Sequence, residues 1–283
     1  MVKRSGSPRG LYEGRYLSDG YPDLEQTGSD YFIHAQPEEA GVSELLLCLS
    51  TLIDVSLEPK TVAVIGCGPK PLAVMEWLHR GFDAHGVEPV PGSAAAAAKF
   101  LGISGRVLRG TAEQLPFEDG SQRIVVLDTV LEHVDSVPKT MSEAYRVLAP
   151  GGVLYVYTTN RHRFSLTGAN GEYRARFFNW FPRVVKESYV FKHLHFDPTL
   201  ANYSPRPAVH WFTYSDLCQM GRDAGFAHFY SRLDLLPLDA PSIKRSAFRT
   251  LALRAFAAGM RNPWLRGVAL LQYGNSIFML KRK

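Results

Sequence analysis

The chain has 283 residues, 46% of them hydrophobic and 21% charged, the composition of a globular protein of one or two domains. No run of 18 uncharged apolar residues occurs, which argues against a membrane-spanning helix, and the basic N-terminus has no apolar stretch behind it, which argues against a secretory leader. The net charge of +5 is unevenly spread: no acidic residue follows Asp239, while nine Lys and Arg do, so the part before is net negative.

Residues 1–30 are rich in Gly, Ser, Tyr and charge and read as an arm with little regular structure. Glu38 to Leu52 has apolar residues at helical spacing. An alternation of strands and helices then begins. Val62–Ile65 is a buried strand, Leu72–Arg80 a helix, and Ala84–Val87 a second strand ending at Glu88. Gly92–Leu101 is an alanine-rich helix, Arg106–Leu108 a short third strand and Ile124–Leu127 a fourth. Pro138–Leu148 is an amphipathic helix ended by "APGG", and Val153–Tyr157 a fifth strand. Such alternation predicts an α/β fold: a doubly wound, Rossmann-like, mostly parallel sheet with right-handed crossovers.

The alternation breaks after residue 160. Residues 160–212 are densely aromatic, hold four of the nine histidines, and show no clear period. A loop-rich insertion of that length reads as a lid or binding wall. Tyr214–Ala224 is a helix, Phe226–Leu236 a strand region, residues 241–271 basic amphipathic helices and Ser276–Leu280 a last strand. The predicted division is a segment 1–55 that covers the site and a domain over 56–283. Within that domain, 160–212 is the insertion and 240–272 the basic helices. Cys48, Cys67 and Cys218 lack metal or disulfide spacing, which fits a reduced, cytoplasmic protein.

The first strand runs into Gly66-Cys67-Gly68-Pro69-Lys70-Pro71. Glycines after strand one let the backbone turn tightly beneath a ligand at the carboxyl edge of the sheet. A dinucleotide fingerprint would need a third glycine where Pro71 stands, and no G-x-x-x-x-G-K-[ST] loop is present, so a phosphate cradle is poorly supported. Glu88, at the end of strand two, is placed to accept ribose hydroxyls. Further motifs follow strands three and four, "GTAEQLPF" from Gly110 and "DTVLEHV" from Asp128. "RVLAPGG" from Arg146 precedes strand five.

In this order and spacing, the five segments resemble those of class I S-adenosylmethionine-dependent methyltransferases of the small-molecule type. The match is strong over about 60–160 and weak over 214–236 and the last strand. The resemblance implies a seven-stranded sheet with an antiparallel last strand. It also implies S-adenosyl-L-methionine as cofactor, with S-adenosyl-L-homocysteine as product. Gly66, Cys67 and Gly68 would pass under the cofactor's methionine portion. Glu88 would hold the ribose and Pro89 would flank the adenine. Thr111 and Ala112, with Glu113 beside them, would read the adenine edge. Asp128 and Thr129 would line the methyl-donor side. Three positions depart from the family pattern: Val64 stands for an acidic residue, Lys70 for a glycine and Thr111 for an aspartate. A cation at a helix N-terminus is unfavourable unless an anion is near, so Lys70 is expected to meet the cofactor's carboxylate.

Methyl transfer needs an aligned acceptor and, for a hydroxyl, a base. His133 is the first candidate, with His162 and His210 in reserve. An E-x-x-E-H metal set lacks its first glutamate, which is Thr129, and His193-x-His195-x-Asp197 also has ligand-like spacing; a metal is not expected at either. The expected substrate is a small or lipid-like molecule with a hydroxyl or carboxyl acceptor, and Arg161, Arg163, Arg174 and Arg176 suit an anionic group on it. N- or C-methylation, a non-catalytic protein of this fold and a nicotinamide-type nucleotide-binding protein are the alternatives. Residues 241–271 could lie on a membrane surface. Specific nucleic-acid binding is not expected, because no N-P-P-[FYW]-type segment follows strand four.

Overall fold

A computed structural model of the chain describes residues 41–56, 58–162, 173, 175–190, 208, 210–236 and 247–282. The arm at 1–30, Arg163, Arg174 and the His193–Asp197 segment lie outside the described residues.

The elements in chain order are α1 (Val42–Leu49), β1 (Thr61–Ile65), α2 (Leu72–His79), β2 (Asp83–Glu88), α3 (Pro91–Leu101), β3 (Val107–Arg109) and β4 (Gln122–Asp128). There follow α4 (Val137–Val147), β5 (Leu148–Tyr157), a 3₁₀ turn at Phe178–Trp180, α5 (Arg183–Tyr189) and α6 (Tyr214–Ala224). The chain closes with β6 (His228–Ser231), α7 (Ala247–Gly259), α8 (Pro263–Tyr273) and β7 (Ser276–Leu280). One seven-stranded sheet runs β3-β2-β1-β4-β5-β7-β6, and β7 is antiparallel to both neighbours. The expected fold class is therefore the observed one.

Period-2 alternation along the central strands feeds two cores. Ala63, Ile65, Val125, Leu127, Leu154 and Val156 face α4 and α6, where Met141, Ala144 and Leu217 are buried. Val62, Val64, Ile124, Val126 and Val153 face the other way, onto Trp77 of α2 and Leu45 and Leu49 of α1. Strands buried on both faces read as continuous apolar runs, which is why β1 and β4 were legible. The helix starts are locally encoded. The Ser136 hydroxyl accepts from the Lys139 N–H at the start of α4, and Thr213 with Asp216 closes a capping box on α6.

Two expectations are corrected. The strand region at 226–236 shrinks to β6, because the Ser231 N–H and hydroxyl both donate to the Asp234 carboxylate and turn the chain there. Helix α1 does not cover the cofactor edge. Arg80, past the end of α2, donates to the Ser43 hydroxyl, and Leu46, Leu47 and Ser50 line a cleft with Lys60 and Phe82, at the amino ends of β1 and β2. No helix among the described residues is long and apolar enough to cross a membrane.

Candidate cofactor and acceptor site

The chain leaves β1, moves outward to β2 and β3, and returns to β4 beside β1. That reversal opens a crevice over the carboxyl ends of β1 and β4, where open α/β sheets hold their ligands. The loop after β1 turns through two left-handed glycines, Gly66 at φ 66° and Gly68 at φ 65°. They are needed for different reasons. A Cβ on Gly66 would stand 2.6 Å from Val130 Cγ2, whereas a Cβ on Gly68 would meet nothing within 4 Å. The loop therefore passes close under Val130 at the first glycine and faces open space at the second.

Glu88 locks this loop. Its buried carboxylate accepts the Gly68 N–H through Oε2 at 3.0 Å and the Val90 N–H through Oε1 at 3.1 Å. The Gly66 and Cys67 N–H groups both donate to the Val87 carbonyl. One carboxylate thus ties the β1 loop to the turn before α3. Pro89 is half-buried in that turn. The Cys67 thiol packs against Gly86 of β2, and burial pushes its pKa well up, so its contribution to a ligand is through the backbone. Lys70 is exposed, and among the described residues it makes no hydrogen bond or ion pair. Pro71 is the N-cap of α2, one position earlier than a first-turn proline.

The loop after β3 carries Thr111, half-buried, and Ala112, buried. Glu113 needs a correction. Its Oε1 accepts the Asp135 and Ser136 N–H groups at 2.6 and 3.1 Å, so it fixes the entry to α4, where two backbone donors compete for it. The same loop is clamped from below by a residue that sequence reasoning left in a motif without a role. Arg146 donates to the Leu115 and Phe117 carbonyls, to Asp119 and to Glu143, while Glu143 accepts the Leu115 N–H. "EQLPF" and "RVLAPGG" belong together because a single guanidinium joins them. Its hydrogen bonds hold the Glu143 carboxyl below the usual range.

At the end of β4, Asp128 is exposed, and Thr129 has φ 52°. A β-branched residue in the left-handed region is strained, and such strain clusters at functional sites. The Thr129 N–H is held by the Tyr157 carbonyl, so β5 supports that conformation. His133 follows on a half-buried turn. Glu132 is buried and accepts the Thr158 hydroxyl at 2.7 Å, an inward commitment that takes it out of the E-H pair considered for a metal.

The three histidines gather at this edge but differ. His162 is exposed after β5, its N–H held by the Asn160 side chain. His210 is buried, with Nε2 2.9 Å from the Val134 carbonyl. A carbonyl only accepts, so Nε2 carries the proton and that nitrogen is no base. His210 is held in place as well: its backbone N–H donates to the Glu132 carbonyl and its own carbonyl accepts the Thr159 hydroxyl, pinning residues 210–212 over the ends of β4 and β5. His133 remains as the base candidate. Arg161 is engaged with the Trp211 carbonyl and Asp216, and Arg176 is exposed.

The class this defines is a doubly wound sheet with a ligand crevice at its switch point, a non-phosphate glycine loop and an acidic strand-two end. Residues 63–156 match the family described as methyltransferase domain, and the chain carries a domain of the class I S-adenosylmethionine-dependent methyltransferases. It is 30% identical over 158 residues to norajmaline N-methyltransferase of Rauvolfia serpentina, covering 53% of this chain and 54% of that protein. It is 35% identical over 130 residues to the ubiquinone biosynthesis O-methyltransferase of Azorhizobium caulinodans, covering 42% and 47%. A Thermotoga maritima S-adenosylmethionine-dependent methyltransferase, a possible histamine N-methyltransferase, is similar at 25% identity and TM-score 0.42 over 77% of this chain and 80% of that one. The chain spans about half the length of the curated relatives it matches.

Proposed function

We propose that the protein is an S-adenosyl-L-methionine-dependent methyltransferase of a small or lipid-like molecule, directed to an acceptor oxygen. One observation carries the reading most: Glu88 locks a left-handed glycine pair whose second member faces open space at the carboxyl edge of β1. That arrangement suits a ribose beside a phosphate-free cofactor. Gly66, Cys67 and Gly68 would underlie the methionine portion, Glu88 and Pro89 the ribose and adenine, Thr111 and Ala112 the adenine edge. The bound cofactor supplies an electrophilic methyl carbon on a sulfonium, whose departure as a thioether needs no proton.

The chain's own residues then have two tasks. Asp128 and strained Thr129 fix the wall beside the reacting carbon, and His133 takes the acceptor hydroxyl's proton as the new carbon–oxygen bond forms. The segment 160–212, much of which lies outside the described residues, would supply the acceptor wall, its described end pinned through His210. Relatives of both N- and O-methyltransferase type leave the acceptor atom to experiment. The exposed Leu251, Phe256, Trp264 and Leu265 on α7 and α8, with Arg254 and Arg261, support contact with an anionic membrane surface. Arg266 does not add to that patch, since it pairs with Asp234 through both oxygens.

Calorimetry with S-adenosylmethionine, S-adenosylhomocysteine and NAD tests the reading: the first two bind and the third does not. Failure of both sulfur ligands to bind ends it. For the base, His133→Ala lowers kcat about 10²-fold or more at unchanged cofactor affinity. An unaltered kcat removes His133 from the chemistry and favours a nitrogen acceptor.

A further inference from the structure

Outside the cofactor crevice, one group of side chains is chemically out of place. Lys186 of α5 is buried, at 3% exposure, with its ammonium 5.9 Å from the centroids of both the Phe178 and the Trp211 rings. Among the described residues no carboxylate pairs with it and no oxygen accepts from it. Phe178 is itself packed edge-on against Tyr173, so the aromatic walls are fixed. Trp211 is 4% exposed, and its indole Nε1–H has no acceptor. The indole N–H is thus buried without an acceptor, and the contacts of the ammonium near it among the described residues are ring faces. Ring faces offset only part of what withdrawing an ammonium from water costs. Burial, with the nearby positive charge of Arg161 adding to it, brings the Lys186 pKa down to about 8. At neutral pH the amine is still mostly charged.

The location gives this arrangement a use. Trp211 lies between His210, whose ring and backbone are bonded to the Val134 and Glu132 carbonyls, and Phe212, which is bridged to Asn160 just beyond β5. The backbone at Trp211 is therefore held next to the ends of β4 and β5, the edge at which Asp128 and Thr129 follow β4. We propose that Lys186 Nζ and the Trp211 indole N–H form an anion-holding subsite of the acceptor pocket, so that the acceptor carries a carboxylate or phosphate group. The inference rests on the methyltransferase reading and names its substrate class. A cationic acceptor is disfavoured, because Lys186 and Arg161 would repel it; Asp216, which pairs with Arg161, offsets only the outer charge.

The test uses the full chain saturated with S-adenosylhomocysteine, whose own binding is measured first, so that failure of the cofactor reading is seen separately. Benzoate and inorganic phosphate are then titrated by intrinsic fluorescence and calorimetry. The wild type binds at least one of them; benzoate alone indicates a carboxylate and phosphate alone a phosphoryl group. Lys186→Met weakens that binding about tenfold or more, and Trp211→Phe, which keeps the aromatic wall, about threefold, each at an unchanged affinity for S-adenosylhomocysteine. Wild-type affinity for benzoate, which stays ionised throughout, falls as pH rises through about 8 and the ammonium loses its proton, while Lys186→Met shows no such fall. Melting gives a separate readout: the anion raises the wild-type Tm and not that of Lys186→Met. A cofactor-binding wild type that binds neither anion overturns the proposal, as does Lys186→Met binding them equally well. Should Lys186→Met not fold, Trp211→Phe and the wild-type pH profile decide it.

Discussion

The two halves of the crevice are built by opposite means. On the cofactor side, from β1 to the start of α4, nearly every turn is held by a carboxylate accepting backbone N–H groups: Glu88 on Gly68 and Val90, Glu113 on Asp135 and Ser136, Glu143 on Leu115. On the proposed acceptor side, the packing among the described residues of 173–212 is aromatic, and the buried Lys186 lies against ring faces. A site for one invariant ligand is stabilised by satisfied local bonds. If the proposed acceptor subsite holds, the Trp211 indole is a donor kept in reserve, at a cost in stability, for the molecule that satisfies it.

The widest contrast to break is that of the two glycines. Gly66→Ala is expected to cost about 2–4 kcal/mol in urea unfolding, from left-handed strain and overlap with Val130, and to reduce cofactor affinity at least tenfold. Gly68→Ala meets only the backbone strain and should cost about 1 kcal/mol while still impairing the cofactor. Equal losses of stability in the two variants would show that Val130 yields and that the loop is not closely packed. Next in size is the clamp beneath the β3 loop. The depressed pKa of Glu143 means its stabilisation is complete above the ordinary glutamate range, near pH 4.3, and is lost as pH falls through the lower folded value. The wild type should therefore lose stability more steeply than Glu143→Gln below about pH 4.5, and parallel acid curves would remove the clamp from the account.

Glu88→Gln sharpens the cofactor side directly. It puts an amide NH₂ where a backbone N–H must be accepted, and about a tenfold loss of S-adenosylhomocysteine affinity is expected, read by calorimetry. Retention of full affinity would make Glu88 a scaffold residue only. Lys70→Ala is the smallest change: about a threefold loss if the exposed ammonium meets the cofactor's carboxylate, and none if it stays in solvent. Read together, the two variants separate a carboxylate built into the loop from a cation that only borders it.

Much of the cofactor half was legible because its signals are local. The run Thr61–Ile65 into Gly66 and Gly68, Glu88 at a strand end, and the order of "GTAEQLPF", "DTVLEHV" and "RVLAPGG" each depend on a few neighbouring residues. Even there, spacing did not reveal that Glu113 turns to α4 or that Arg146 reaches the loop 27 to 31 residues before it. The left-handed strain of Thr129 has no signature in its residue type, since threonine ordinarily avoids that region.

By itself the sequence determined the class of fold, the side of the sheet that holds the ligand and the kind of cofactor loop, because hydrophobic period, glycine placement and strand-end acidity act over short stretches of chain. Only the tertiary structure decided which histidine is committed to a carbonyl, which glutamates are spent on backbone donors, and that Lys186, 25 residues before Trp211 in the sequence, brings its ammonium over the indole ring. Those outcomes depend on desolvation and on which partners the fold brings within hydrogen-bond reach, and neither is a property of local sequence.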